Sequence, residues 1–203
     1  MPQRQSGAEL TSTKAAGLGD LSLTLLDLRS VIELCRRLDA ELAKPESDHD
    51  NLLVEAMWTA ALVKYIRCFT SGKRTELDSS VFDGMDGAHD THQYFKNMRD
   101  KHVAHSVNPF EGVGVRVLLR GEPGQSVAEG IAVFQHRLVC TDRKGVRTLE
   151  RLASTAQRDV RLRCKSMRDE LISWAKAQPP GTFTPDQLSM VAPGPEQAGE
   201  SRK

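Results

Sequence analysis

Between two polar ends, the apolar positions of this chain fall first at helical and then at strand spacing. Over residues 21–44, Leu25, Leu28, Ile32, Cys35, Leu38 and Leu42 recur every three or four positions, one face of a helix that Pro45 ends. Asp48 or Asp50 can cap a second helix, whose broad stripe runs through Leu53, Met57, Ala60 and Lys64 beside Leu52, Ala56, Val63 and Ile66, up to Ser71-Gly72. A loop with a short helix over residues 75–82 leads to Gly84 and Gly87, and a third helix is predicted over residues 88–105. Beyond Asn108-Pro109 the period changes. Val113, Val115, Val117 and Leu119 alternate with Gly114, Arg116, Leu118 and Arg120, which predicts a strand. A turn over residues 121–124 and a second strand over residues 130–140 complete a β-hairpin at about residues 112–140.

A last helix is predicted over residues 145–177, with Leu149, Leu152, Ala156, Val160, Cys164, Met167, Leu171 and Trp174 on one face. The expected fold is mainly α, a helical bundle with a β-hairpin inserted between the third and last long helices. Residues 1–19 are polar and residues 178–203 hold five of the nine prolines, so both ends are expected to be disordered around one domain at residues 20–177.

Composition narrows the class. With 203 residues, 39% hydrophobic and 27% charged, the chain suits one soluble folded domain. No apolar run is long enough to span a bilayer, so no membrane partner is expected, and the polar residues 1–17 do not read as a secretory signal. Cys35, Cys68, Cys140 and Cys164 form no Cys-x-x-Cys pair, the usage of reduced core thiols in a cytoplasmic protein. The 28 Lys+Arg almost balance the 27 Asp+Glu, yet residues 143–177 hold ten Lys/Arg against four Asp/Glu. Arg151, Arg158, Arg161, Arg163 and Arg168 therefore make the last helix cationic, which suits a phosphate backbone as well as an ordinary solvated face. Only 5% of residues are aromatic, too few for an array that stacks RNA bases. Walker, dinucleotide-binding, His-Glu-x-x-His and Gly-x-Ser-x-Gly motifs are missing.

Histidine is concentrated in the predicted third helix, where His89, His92, His102 and His105 lie within 17 residues. At about 100° per residue, His102 and His105 fall within about 40° of Met98, flanked by Tyr94 and Phe95, with Arg99 at the margin. Imidazole exchanges a proton near neutral pH, and guanidinium offers a charged fork matched to phosphate oxygens. Together they can activate an RNA 2′-hydroxyl and stabilise the phosphorane that it forms, without a metal or other cofactor. The plainer alternative for His105 is a histidine bonded to a backbone carbonyl at a helix C-terminus. His89 and His92, with Asp86 and Asp90, have metal-ligand residue types, but the same residues also suit a helix start, and no metal is assigned.

The string Arg99-Asp100-Lys101-His102-Val103-Ala104-His105 resembles the arginine, polar residue, spacer and histidine motif of the HEPN superfamily (higher eukaryotes and prokaryotes nucleotide-binding). It is similar to a bacterial and phage-associated subgroup, some members of which are linked to abortive infection. Counting a second block at Tyr65-Ile-Arg67-Cys-Phe69-Thr-Ser-Gly-Lys73-Arg74, the resemblance extends over about residues 21–174. It implies a metal-independent endoribonuclease, a toxin or antiphage effector, that forms a homodimer through the motif helix and has RNA and a cognate antitoxin as partners. Arg99 and His105 would be its catalytic pair, Asp100 would orient them and His102 would assist. Arg67, Lys73, Arg74 and Lys101 would hold the RNA backbone. Many members of the superfamily are inactive and bind nucleotides, RNA or proteins instead, and the inserted hairpin departs from the minimal four-helix core.

Overall fold

The two longest helices run antiparallel along each other. In the computed structural model, which describes residues 7–70, 72, 74–103, 111–122 and 124–184 apart from the side chains of residues 102, 103, 136 and 137, they are α1 (Thr13–Glu41) and α4 (Arg143–Lys176). Ser12 caps α1 by accepting from the Ala15 N–H, and Asp142 caps α4 by accepting from the Gly145 N–H at 2.8 Å. Their seam is apolar within and ionic outside. Leu28, Val31, Cys35 and Leu38 meet Leu149, Leu152, Ala156 and Val160, all fully buried. Lys14 pairs with Glu170, Arg36 with Glu150, and Asp39 with Arg143 and Arg147.

The first seven residues of helix α1 lie inside the stretch expected to be disordered, so that expectation is corrected for residues 13–19. The reason is tertiary: Lys14 is tied to the far end of α4, and a Cβ on Gly17 would come within 3.1 Å of the Met167 methyl. At the other end, Phe183 packs edge-on against Trp174, with ring centroids 5.9 Å apart. Residues 185–203 of the predicted tail lie outside the described residues.

Helix α2 (Asn51–Arg67) is capped by Asp50, and the Asp50 N–H also donates to Glu41 at the end of α1. Its buried face is Val54, Trp58, Ala61, Leu62, Tyr65 and Ile66. The predicted stripe holds only in part: Ile66 is buried and Met57 packs against the core, but Leu52 is 77% exposed, and Leu53 and Val63 also face solvent. A helix apolar on nearly every side carries no clear directional signal, and here the large rings of Trp58 and Tyr65, seven residues apart, set the packed face.

A 3-10 turn (Ser79–Phe82), capped by Asp78, buries Phe82, and α3 (Ala88–Met98) follows Gly87, whose φ of 63° suits glycine. Phe95 packs edge-on against Trp58 and Tyr65. The third helix does not continue to residue 105 as an α-helix. Arg99–Val103 form a π-helical turn packed on α2, so angles counted at the α-helical step lose phase after Met98.

The two strands are β1 (Glu111–Arg120) and β2 (Val127–Arg137), antiparallel with Val115 opposite Val133 and Val117 opposite Ile131. β2 starts and ends three residues earlier than predicted, because Val127 and Ala128 extend the ladder by pairing with Arg120 and Leu119. Glu129 is the extra residue of a bulge between the Leu118–Gly130 and Leu119–Ala128 pairs. The hairpin makes no extended contact with any described helix. The architecture is therefore a mainly helical bundle with a two-stranded hairpin inserted between its third and last helices.

Candidate functional site

One carboxylate organises the end of the bundle where α2 finishes. Asp27 sits on the packed face of α1 with its side chain only 8% exposed, and three cations converge on it. Lys64 Nζ lies 3.3 Å from Oδ1, Arg67 Nε 3.1 Å from Oδ2 and Arg74 Nη1 3.1 Å from Oδ2, while Arg67 Nη2 donates to Oδ1 to complete a fork. Burial alone would raise the Asp27 pKa, but the hydrogen bonds and charges of Arg67 and Lys64 outweigh it and hold the carboxyl below its ordinary value. Three cations on one anion leave a surplus of positive charge, with Arg67 and Arg74 partly open to solvent.

Local backbone bonds bring Arg74 back to this point. The Leu77 N–H donates to the Cys68 carbonyl at 2.9 Å, and the Thr75 N–H donates to Asp20, one of the buried polar residues Asp20, Thr24 and Asp27 along α1. Asp27 was missed by sequence reasoning. Its signal is an acid at an apolar-phase position of α1, matched by the basic residues Lys64, Arg67 and Arg74.

Arg99 reaches the same end of the bundle. On the π-helical turn, Nη2 donates to Thr70 Oγ1 at 3.3 Å, and Nη1 is 2.9 Å from Asp100 Oδ1. Thr70 itself donates to the carbonyl of Ile66, the residue before Arg67, so Arg99 is held just past the C-terminus of α2, whose last turn carries Lys64 and Arg67 of the Asp27 cluster. Lys101 on this turn is exposed. The structure thus pairs Arg99 with Asp100 and gathers Arg67 and Arg74 on Asp27, so Arg67 and Arg74 are not the free cations that the sequence suggests. The His102 side chain, Lys73 and His105 lie outside the described residues.

His89 and His92 serve different partners. His92 is buried and shares a 3.0 Å hydrogen bond between Nδ1 and the Tyr65 hydroxyl, within a ring cluster of Phe69, Phe82 and Tyr65. Burial, then the positive charges of Lys96 and His89, hold its pKa below the ordinary histidine value, so it stays neutral as a core residue. His89 Nε2 is 3.0 Å from Asp83 Oδ1 at the surface. Among the described residues, no group of three or more His, Cys, Asp and Glu side chains is placed to hold a metal ion. Tyr94, expected beside the packed histidines, is 44% exposed.

The cationic last helix is partly spent on the fold. Arg143 and Arg147 each fork the Asp39 carboxylate, while Arg163 pairs with Asp159 and Lys165 with Asp169. Arg161 lines an open groove of about 730 Å³ between α1 and α4, with Arg29, Arg36, Glu33, Ser154 and Gln157. Arg29 is about 200° around α1 from Asp27, so this groove does not extend the Arg99 site. Cys68 is buried and donates to the Lys64 carbonyl; burial, then the nearby Asp27 charge, push its thiol up to about 12, the state of an inert core residue. No described helix is long and apolar enough to cross a membrane.

Against known proteins, the chain matches no family model, no curated protein and no solved structure.

Proposed function

We propose that the chain is a HEPN-like, metal-independent endoribonuclease acting as a toxin or antiphage effector. The observation that carries this reading is Arg99: it stands on a π-helical turn and is held by Thr70 just past the end of α2, the helix whose last turn carries Lys64 and Arg67 of the cationic cluster around Asp27. π turns recur at functional sites, and a site with surplus positive charge favours a phosphate-bearing ligand. In the proposed reaction His105 takes the proton of an RNA 2′-hydroxyl, the oxygen attacks the adjacent phosphorus, and Arg99 stabilises the charge on the phosphorane. The bond to the 5′-oxygen then breaks and that oxygen takes a proton, leaving a cyclic phosphate and a 5′-hydroxyl. Asp100 orients Arg99, Lys101 and the outer faces of Arg67 and Arg74 meet the RNA backbone, and a second copy and a cognate antitoxin are its protein partners.

The test is cleavage of total RNA in EDTA between pH 6 and 8. Wild type is expected to cleave, with His105→Ala slower by roughly 10²–10⁴-fold and Arg99→Ala by roughly 10²–10³-fold. Full activity in both variants overturns the assignment. A non-catalytic binding module is the second reading, favoured by the fact that Arg99, Arg67 and Arg74 already have carboxylate partners. Expression separates the two, since a ribonuclease slows growth and a binding module does not.

A further inference from the structure

The β-hairpin carries an apolar face that nothing in the described chain covers. Val113, Val115, Val117 and Leu119 point to one side of β1, and Ile131 and Val133 stand opposite Val117 and Val115 on the same side of β2. These six residues are between 52% and 72% exposed. The other side differs: the Arg116 guanidinium lies 5.5 Å over the Phe134 ring, and Arg120 pairs with Glu129. That side also leaves Leu118, Val127 and Phe134 partly exposed, but it intersperses them with Arg116 and Arg120, whereas the valine side carries no charge between Val113 and Leu119.

We propose that this face is a self-association surface, on which Val113, Val115, Val117, Leu119, Ile131 and Val133 pack against the same residues of a second copy of the chain. Three observations select that occupant. First, the six apolar residues form a patch without charge, the nearest charged position on this side of β1 being Glu111 at the start of the strand, so the patch offers nothing to a phosphate backbone, and a copy laid against it meets no like charge within it. Second, the face is its own complement. A two-fold axis through the Val115–Val133 pair sets branched side chains against branched side chains, as an isologous interface requires. Third, the area fits. At roughly 100 Å² of open surface per side chain the patch is about 600 Å², large for a monomer surface. Two patches together supply about 1,200 Å², the lower end of a stable interface. A lone two-stranded hairpin is also marginal in water, and a second hairpin stacked on it gives both a core. The proposal places the second copy on the hairpin in place of the motif helix that the HEPN resemblance implies, and does not rest on the ribonuclease reading.

Sedimentation velocity of the full chain across micromolar concentrations tests it. Wild type moves from the 22.5 kDa monomer to twice that mass. A variant with both Val115→Lys and Val133→Lys stays at the monomer mass, whereas Arg116→Ser, on the opposite side, dimerises like wild type. Should the lysine variant lose its helical circular dichroism, oxidative cross-linking decides instead. Val115→Cys then gives a disulfide-linked dimer and Arg116→Cys does not. A wild type that is monomeric throughout overturns the proposal. So does a dimer that the folded lysine variant retains, since its interface lies elsewhere. So too does a monomer that adsorbs to phosphatidylcholine–phosphatidylglycerol vesicles through the valines, because the occupant is then lipid.

Discussion

Val31 and Val115 are the same residue in opposite circumstances. Val31 lies on α1 with no surface exposed, between α2 and α4, whereas Val115 lies on β1 with 66% of its surface open. Both belong to regular apolar patterns, one with a period of three to four residues and the other of two. In the bundle each apolar face finds another: α1 meets α2 and α4, and α2 meets α3. The hairpin's ladder is complete within itself, yet its valine face makes no extended contact with any described helix. Patterning therefore specifies an element and the face it must bury, but not what covers that face.

This contrast is easiest to break by substitution. The largest effect is expected in the aromatic core, where Phe95→Ala should destabilise the fold by about 3–5 kcal/mol in urea denaturation. A loss under 1 kcal/mol would mean that α3 does not pack on Trp58 and Tyr65 as described.

An intermediate effect is expected at Asp27, the polar centre of the bundle. Asp27→Asn should cost about 1.5–3 kcal/mol at neutral pH, because it removes charge-assisted hydrogen bonds from Arg67, Lys64 and Arg74. The folded-state pKa of Asp27 is lowered, so its stabilisation is complete above the unfolded carboxyl value of about 3.9. It is lost as pH falls through the folded value. The gap between wild type and variant should therefore close below about pH 4 in thermal melts, and a constant gap contradicts the charge argument. Asp39, held at about 2 by hydrogen bonds from Arg143 and Arg147, acts in the same sense but is present in both proteins. The smallest effect is expected on the hairpin. Val115→Thr should change the denaturation of the dilute chain by no more than about 0.5 kcal/mol. A larger loss there would show that the hairpin packs on the bundle in solution.

Legibility followed how sharply apolar and polar residues separate. Most of α1 and α4 could be read directly, since Leu28, Ile32, Cys35 and Leu38, and Leu149, Leu152, Ala156 and Val160, stand out against charged neighbours. α2 could be recognised as a helix but not phased, because Leu52, Leu53 and Val63 are as apolar as the residues it buries. In the candidate site, Arg99 and Asp100 were legible from their motif, and the structure places them side by side. Arg67 and Arg74 were legible as basic residues but not as partners of Asp27, which is 40 or more positions away. His92 invited a ligand reading that its Tyr65 bond and its ring neighbours replace.

The sequence by itself determined the order of elements, an aspartate cap for α2, and the alternation that puts Val113, Val115, Val117 and Leu119 on one side of β1. These depend on dihedral preference, hydrogen bonding and periodicity within a few residues. Only the tertiary structure decided that residues 13–19 are helical, that α2 buries Trp58 and Tyr65, that the chain widens into a π turn at Arg99, and that three cations share Asp27. Those outcomes depend on shape and charge meeting across long sequence separations, where a buried carboxylate needs partners and a large ring needs space.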